Sequence, residues 1–312
     1  MKRCVLVQLL VFSVALCLPV MSQAGNVHIR FGILPVLDTL PLQVAATEGF
    51  FAAQGLDVEL ISFNSALERD VALQTGQLDG YFGDLVAAVL LLQNGVTMPV
   101  ALTSYHTTPG QPMFGIATGP ALKNATLADL KGKKIGYSKA TIMEFLLEQL
   151  LLKNDLPADY FERVEVKKVP IRMQMVLQDQ LDCALLPEAL LSLVKFKGGG
   201  LALTAENLDI PLTILGLHEK YFADNGAVYK KFVAAYTQAV AALADTPEKY
   251  RDLMGKTCHV PPPLLPEFPI FRYPAPELPS QADVQMVTAW MKSVGMLKGD
   301  IAYADVVAPM KP

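Results

Sequence analysis

The feature that most restricts this chain is a regular alternation of short β-like apolar runs with amphipathic helical segments, a rhythm that builds a mainly parallel sheet covered by helices on both faces. The first series reads as strand His28–Leu34, helix Pro41–Gln54, strand Asp57–Phe63, helix Leu67–Gln74, strand Asp79–Phe82 and helix Leu85–Gln93. Another strand, Pro99–Ser104, runs into the breaker cluster Thr107-Thr108-Pro109-Gly110-Gln111-Pro112, and Met113–Thr118 resumes as a strand. The chain is expected to cross there into a second lobe, with strands Lys134–Tyr137, Val164–Val169 and Cys183–Leu186 and helices Ile142–Lys153, Arg172–Gln178 and Glu188–Lys195. Gly198-Gly199-Gly200 and the segment Ile210–Leu217 read as the return crossing, and helices Ala227–Leu243, Pro247–Met254 and Gln281–Val294 then fall on the first lobe. Two crossings make the first lobe discontinuous: residues 25–112 and 213–312 form lobe one, and residues 113–212 form lobe two. The Pro-rich stretch from Pro261 to Pro279 has too many fixed φ angles and missing donors for regular structure and is expected to wrap over a lobe.

An internal echo accompanies this rhythm. Gln77-Leu78-Asp79 closes a strand–helix unit in lobe one and Gln180-Leu181-Asp182 closes its counterpart in lobe two, each followed by a β run. Chance turn chemistry, with Asp ahead of a strand, is the alternative to duplication.

The N-terminus carries Lys2 and Arg3, an apolar run from Val5 to Val20 and then Ser22-Gln23-Ala24, the layout of a secretory signal peptide over residues 1–24. The run holds Gln8 and Pro19 and falls short of the roughly 20 residues a membrane span needs, so cleavage near Ala24 is expected to release a free, periplasmic chain. Leu16 ahead of Cys17 is too large for a lipoprotein signal. Without Lys2 and Arg3 the chain has 24 basic against 30 acidic residues, a net charge of −6, and no basic run, which excludes nucleic acid as a partner. With 52% hydrophobic and 18% charged residues it is too apolar to be disordered. Cys183 and Cys258 remain after processing and allow one disulfide without requiring it.

In open α/β sheets ligands bind beyond the carboxyl ends of the strands, which directs attention to the strand-to-helix joints. These joints hold Asp38 and Thr39, Asn64 and Ser65, Asp84, and Ser138 with Thr141. Ser65–Glu68 and Thr141–Glu144 fit the capping box, and the same free N–H groups and positive helix end suit a carboxylate, phosphate or sulfonate. Asp38 and Asp84 are either caps or acceptors for a ligand amine or ring nitrogen. Tyr105 and His106 follow the fourth strand at the expected cleft mouth, where a ring stacks and an imidazole donates, although a lone His is commonly structural. Glu188 either faces the cleft or opens the next helix. His28, His106, His218 and His259 are scattered and there is no Cys-x-x-Cys, so neither a metal nor any other cofactor is expected. No nucleophile elbow, Walker loop or dinucleotide fingerprint is present, so the chain carries no enzyme signature.

Five blocks together, Phe31–Leu34, Leu42–Phe51, Gly55–Leu60, Leu127–Gly136 and Gln180–Glu188, resemble the solute-binding proteins of ABC importers of the alkanesulfonate, nitrate, taurine and thiamine-pyrimidine group. The resemblance implies an α/β, two-lobed, Venus-flytrap binding protein of type II with a two-strand hinge. It also implies a monomer that captures a small-molecule ligand between its lobes and is recognised when closed by ABC importer permease subunits. It does not specify the ligand, and Tyr105–Gly115 matches no known substrate pattern. Enzymes of pyrimidine formation and of the menaquinone pathway share this architecture and offer the alternative reading, against which the export signal counts. A sensory module reporting to a separate chain is the remaining one.

Overall fold

The structure is a computed structural model and describes residues 26–310 and Pro312. The expected signal peptide and cleavage site fall outside the described residues. The first series runs β1 (Val27–Ile33), α1 (Leu40–Thr47), α2 (Phe50–Ala53), β2 (Leu56–Ser62), α3 (Ala66–Gln74), β3 (Gly80–Gly83), α4 (Leu85–Gln93) and β4 (Val100–His106). The second runs β5 (Phe114–Thr118), β6 (Lys134–Tyr137), α5 (Ile142–Lys153), β7 (Glu162–Glu165), α6 (Val169–Leu177), β8 (Cys183–Pro187), α7 (Leu190–Phe196) and β9 (Gly200–Thr204). The chain then returns as β10 (Pro211–Leu217) and closes with α8 (Ala223–Asp245), α9 (Arg251–Thr257), α10 (Gln281–Ser293) and α11 (Tyr303–Val306).

Two five-stranded sheets result, ordered β2-β1-β3-β10-β4 and β7-β6-β8-β5-β9. In the first, β1 pairs in parallel with β2 and β3, and β10 runs antiparallel between β3 and β4. The second repeats the plan: β6 pairs in parallel with β7 and β8, and β5 runs antiparallel between β8 and β9. This is the two-lobed α/β fold expected from the sequence. Position in the sheet explains composition. Central β10 is buried along its whole length, whereas the edge strands β2 and β7 expose Asp57, Glu59, Glu162 and Glu165. The Pro-rich stretch and the C-terminal segment cover the outer edge of β4, with Thr103 N donating to Glu277 O at 2.7 Å and Ala308 N to Val100 O at 2.9 Å.

Several expectations change. The helix expected over Pro41–Gln54 is two helices, because Gly49 takes φ +74° and stops α1 at Thr47. The strand expected over Val164–Val169 ends at Glu165, since Pro170 suits the first turn of a helix and α6 begins at Val169 rather than Arg172. Gly200 opens β9 in the second sheet, so the return crossing lies between Thr204 and Pro211 and excludes the glycine run. Cys183 and Cys258 are both buried free thiols.

A large apolar core fills lobe one and continues through α5 to the near face of the second sheet. Where the lobes touch, Phe145 of α5 meets Trp290 of α10 edge to face, with ring centroids 5.3 Å apart. A smaller cluster around Met173, Val176, Leu186 and Val194 covers the far face of the second sheet.

Candidate functional site

The likeness between the two Gln-Leu-Asp units extends into the architecture beneath the cleft. Asp79 Oδ2 accepts from the backbone N of Arg30 in β1 (3.1 Å), and Asp182 Oδ2 accepts from that of Lys134 in β6 (2.8 Å), each two residues ahead of the strand's glycine. Gly32 of β1 and Gly136 of β6 each pass under a leucine and an arginine; a Cβ there would sit 2.6 Å from Leu78 Cδ1 or from Leu181 Cδ1, with Arg69 Cγ at 3.3 Å and Arg172 Cγ at 2.9 Å. Both arginines are fully buried and stand eight residues ahead of their Gln-Leu-Asp. Sequence reasoning missed them, although that common offset was the signal that could have found them.

Above this floor the carboxyl ends of the strands enclose a cavity of about 580 Å³ walled by both lobes. Lobe one contributes Leu34–Val36, Phe63–Leu67, Gly83 and Asp84, with Thr213 from β10; lobe two contributes Phe114, Ser138–Met143 and Pro187–Leu190. Of the ten residues singled out in the sequence, Asn64, Ser65, Asp84, Ser138, Thr141 and Glu188 are brought together in this wall.

Ser65, Thr141 and Asp84 cap their helices, and the two capping-box carboxylates return to the residue ahead of the cap rather than to the cap itself. Ser65 Oγ accepts from Glu68 N (3.2 Å), and Glu68 Oε2 reaches back to Asn64 N (3.1 Å). Thr141 Oγ1 accepts from Met143 N (3.1 Å), and Glu144 Oε2 accepts from Ala140 N (2.7 Å). Asp84 caps α4 through Ala87 N (2.9 Å), and its second oxygen crosses the cleft to Ile142 N of α5 at 3.4 Å. Glu188 accepts from Ser192 N (3.1 Å) and Ser192 Oγ (2.9 Å), so it serves α7 while facing the cavity. Burial raises both carboxyls, against Arg69 for Asp84 and against Ser192 for Glu188.

The other four lie elsewhere. Asp38 is wholly buried behind Thr213, whose Oγ1 donates to Asp38 Oδ1 at 2.8 Å. Its Oδ2 meets no donor among the described residues, and burial lifts the carboxyl to about 6. Thr39 Oγ1 donates to Val36 O (2.8 Å), fixing the turn after β1. Tyr105 is buried inside lobe one, edge-on to Tyr273 with centroids 6.0 Å apart, because β4 turns its side chain away from the cleft. His106 stands outside the cavity with Nε2 3.9 Å from an Asp209 carboxylate oxygen. Among the described residues no group of three or more His, Cys, Asp or Glu is placed to hold a metal, and no helix is long and apolar enough to cross a membrane.

Two α/β lobes with mixed sheets, joined by two crossings and enclosing a cavity at their strand ends, form the periplasmic-binding-protein fold. The chain superposes with TM-score 0.77 on a ligand-binding component of an ABC-type import system from Staphylococcus aureus, at 18% identity over 91% of this chain and 97% of that one. It superposes with TM-score 0.75 on the alkanesulfonate-binding protein SsuA of Xanthomonas axonopodis pv. citri, at 17% identity over 91% and 99% of the two chains. By sequence it belongs to the NMT1-like family, whose sequence model matches residues 22–257. Among curated proteins it is 27% identical over 256 residues to a binding protein of Brucella abortus, covering 79% of this chain and 77% of the relative. It is 25% identical over 237 residues to the riboflavin-binding protein RibY of Chloroflexus aurantiacus, covering 73% and 65%.

Proposed function

We propose that this protein is the periplasmic solute-binding component of an ABC importer, exported by its N-terminal signal, monomeric, and built to hold one small organic solute between its lobes. The observation that carries this reading is the cavity itself: it is walled from both lobes, at the strand ends where α/β folds bind ligands. A solute touching both walls stabilises the closed form by its differential affinity, and a permease then reads occupancy as shape. The lobe limits proposed are those of the sequence, 25–112 with 213–312 and 113–212, and the solute is a sulfonate, a pyrimidine-like ring or another small polar molecule. The side chains around the cavity suit holding rather than bond-making. The Cys258 thiol is pushed up to about 12 by burial, and the carboxylates of Asp84 and Glu188 are engaged as helix caps.

Native mass spectrometry of the chain from Gly25, purified gently from an exported preparation, tests this. The expected result is a monomer carrying one small molecule that denaturation releases and accurate mass assigns. An empty protein that turns over a candidate substrate would replace transport by catalysis on the same fold.

A further inference from the structure

The two buried arginines beneath the cavity are unequally provided with partners. In lobe one, Arg69 donates from Nε and Nη2 to Asp70 Oδ1 (2.9 and 2.6 Å) and from Nη1 to Phe82 O (2.6 Å), so its charge has a counterion. In lobe two, Arg172 donates from Nη1 to Ser138 Oγ (2.6 Å) and Val166 O (3.0 Å), while Nε and Nη2 meet no acceptor among the described residues. The residue after it is Met173, where lobe one has Asp70. Burial lowers the Arg172 guanidinium, to about 9, so it remains charged at neutral pH, and among the described residues no carboxylate pairs with it. A buried charge without a partner is expensive, and an anion brought close to it is correspondingly favoured.

That charge communicates with the cavity through one atom. Ser138 lines the cavity, and its oxygen is occupied as the acceptor for Arg172. Its own proton has only Val166 O inside the protein, at 3.5 Å, which is long for an O–H donor. The hydroxyl is therefore polarised from behind and left to donate into the cavity. The cavity-facing carboxylates of Asp84 and Glu188 are occupied by backbone N–H groups and Ser192, whereas Arg172 has unused donors.

We propose that Arg172, acting through Ser138, makes the lobe-two wall of the cavity a receptor for an oxyanion of the solute, a carboxylate, sulfonate or phosphate. The Ser138 hydroxyl donates to that oxyanion, and Arg172 is the positioning residue that supplies the charge behind it. The inference rests on the reading of the cavity as a solute site and narrows the class of solute.

Alkylation of a cavity thiol, in protein freed of any solute by unfolding and refolding, reads the field at this point without needing the solute, so its outcome is separate from that of the transport reading. In Ser138→Cys, rates with anionic iodoacetate and neutral iodoacetamide are followed by peptide mass, with native Cys183, buried away from the cavity wall, as internal control. Arg172 is expected to lower the pKa of the new thiol and favour iodoacetate. Both effects are expected to fall, the rate ratio by roughly tenfold, in Ser138→Cys/Arg172→Met. Equal ratios and pH profiles in the two proteins overturn the proposal. A second arm compares benzoate, benzenesulfonate and phenyl phosphate with benzyl alcohol as thermal stabilisers of the wild type, Ser138→Ala, Arg172→Met and Arg172→Lys. The expected result is that at least one anion outperforms benzyl alcohol, that the preference vanishes in Ser138→Ala and Arg172→Met, and that it survives in Arg172→Lys. The best anion then identifies the oxyanion. If no anion outperforms benzyl alcohol, or if Arg172→Met retains the preference, Arg172 is only a structural residue.

Discussion

Asp38 holds a carboxylate where water does not reach, with one oxygen served by Thr213 and the other without a donor. Because burial raises its folded-state pKa from the ordinary 3.8 to about 6, the folded protein binds the proton more tightly than the unfolded chain. The stability from this group is therefore complete below pH 4 or so and is lost as the pH rises through about 6, a loss of about 3 kcal/mol at neutral pH. Asp38→Asn keeps an acceptor for Thr213 and removes the charge, so its Tm at pH 7.5 is expected to exceed that of the wild type. The gain in Tm on acidifying from pH 7 to pH 5 should flatten in the variant, and melts across that range measure both effects. Asp79 has the opposite sign. Burial pushes it upward, but hydrogen bonds from Arg30 and Lys220 outweigh that and hold it at about 2. Its contribution is present above the ordinary carboxylate range and is lost as the pH falls through about 2. Neither environment was legible in the sequence, since the partners of Asp38 and Asp79 include Thr213 and Lys220, far along the chain.

Elements were more legible than residues, for a physical reason. Helices such as α4, α5 and α10 begin at side-chain caps, Asp84, Thr141 and Ser280, and their ends follow from local signals. The element limits that failed depended on tighter geometry: a left-handed glycine at position 49, a proline at 170 and a glycine at 200 that pairs in a sheet. Close packing is equally hidden from pattern. Gly216 lies in β10 directly beneath the buried ring of Tyr81, so any Cβ there overlaps the ring. Gly216→Ala is expected to destabilise the protein by about 1–3 kcal/mol through forced movement of a strand paired on both sides. Denaturant melts monitored by circular dichroism would measure this, and an unchanged midpoint would mean that the Tyr81 ring yields without cost.

At the scale of the molecule, the contacts across the lobes include the shared apolar core through α5, the Asp84–Ile142 contact, a rim pair between Lys168 Nζ and Glu68 Oε1 at 3.9 Å, and Phe145 against Trp290. The rim pair is exposed and contributes little. Asp84→Ser retains a side chain able to cap α4 but is too short to reach Ile142, so Tm should change little while the closed form loses a contact. Trp290 is the only tryptophan in the sequence and is buried against the opposite lobe, so its emission should shift to the red in that variant as the ring meets water. An unshifted spectrum would show that the apolar contacts through α5, Phe145 on Trp290 among them, keep the lobes together without the Asp84 bridge. The strand order has one more consequence, for the newly synthesised chain. The second sheet is built entirely from residues 114–204, whereas β10 must insert between β3 and β4 to complete the first. The lobe that begins first is thus finished last, its two inner edges bare until residues 211–217 emerge. A nascent chain halted short of Pro211 would present those open edges to any neighbouring strand, which makes the passage from Thr204 to Leu217 the interval in which aggregation competes most directly with folding.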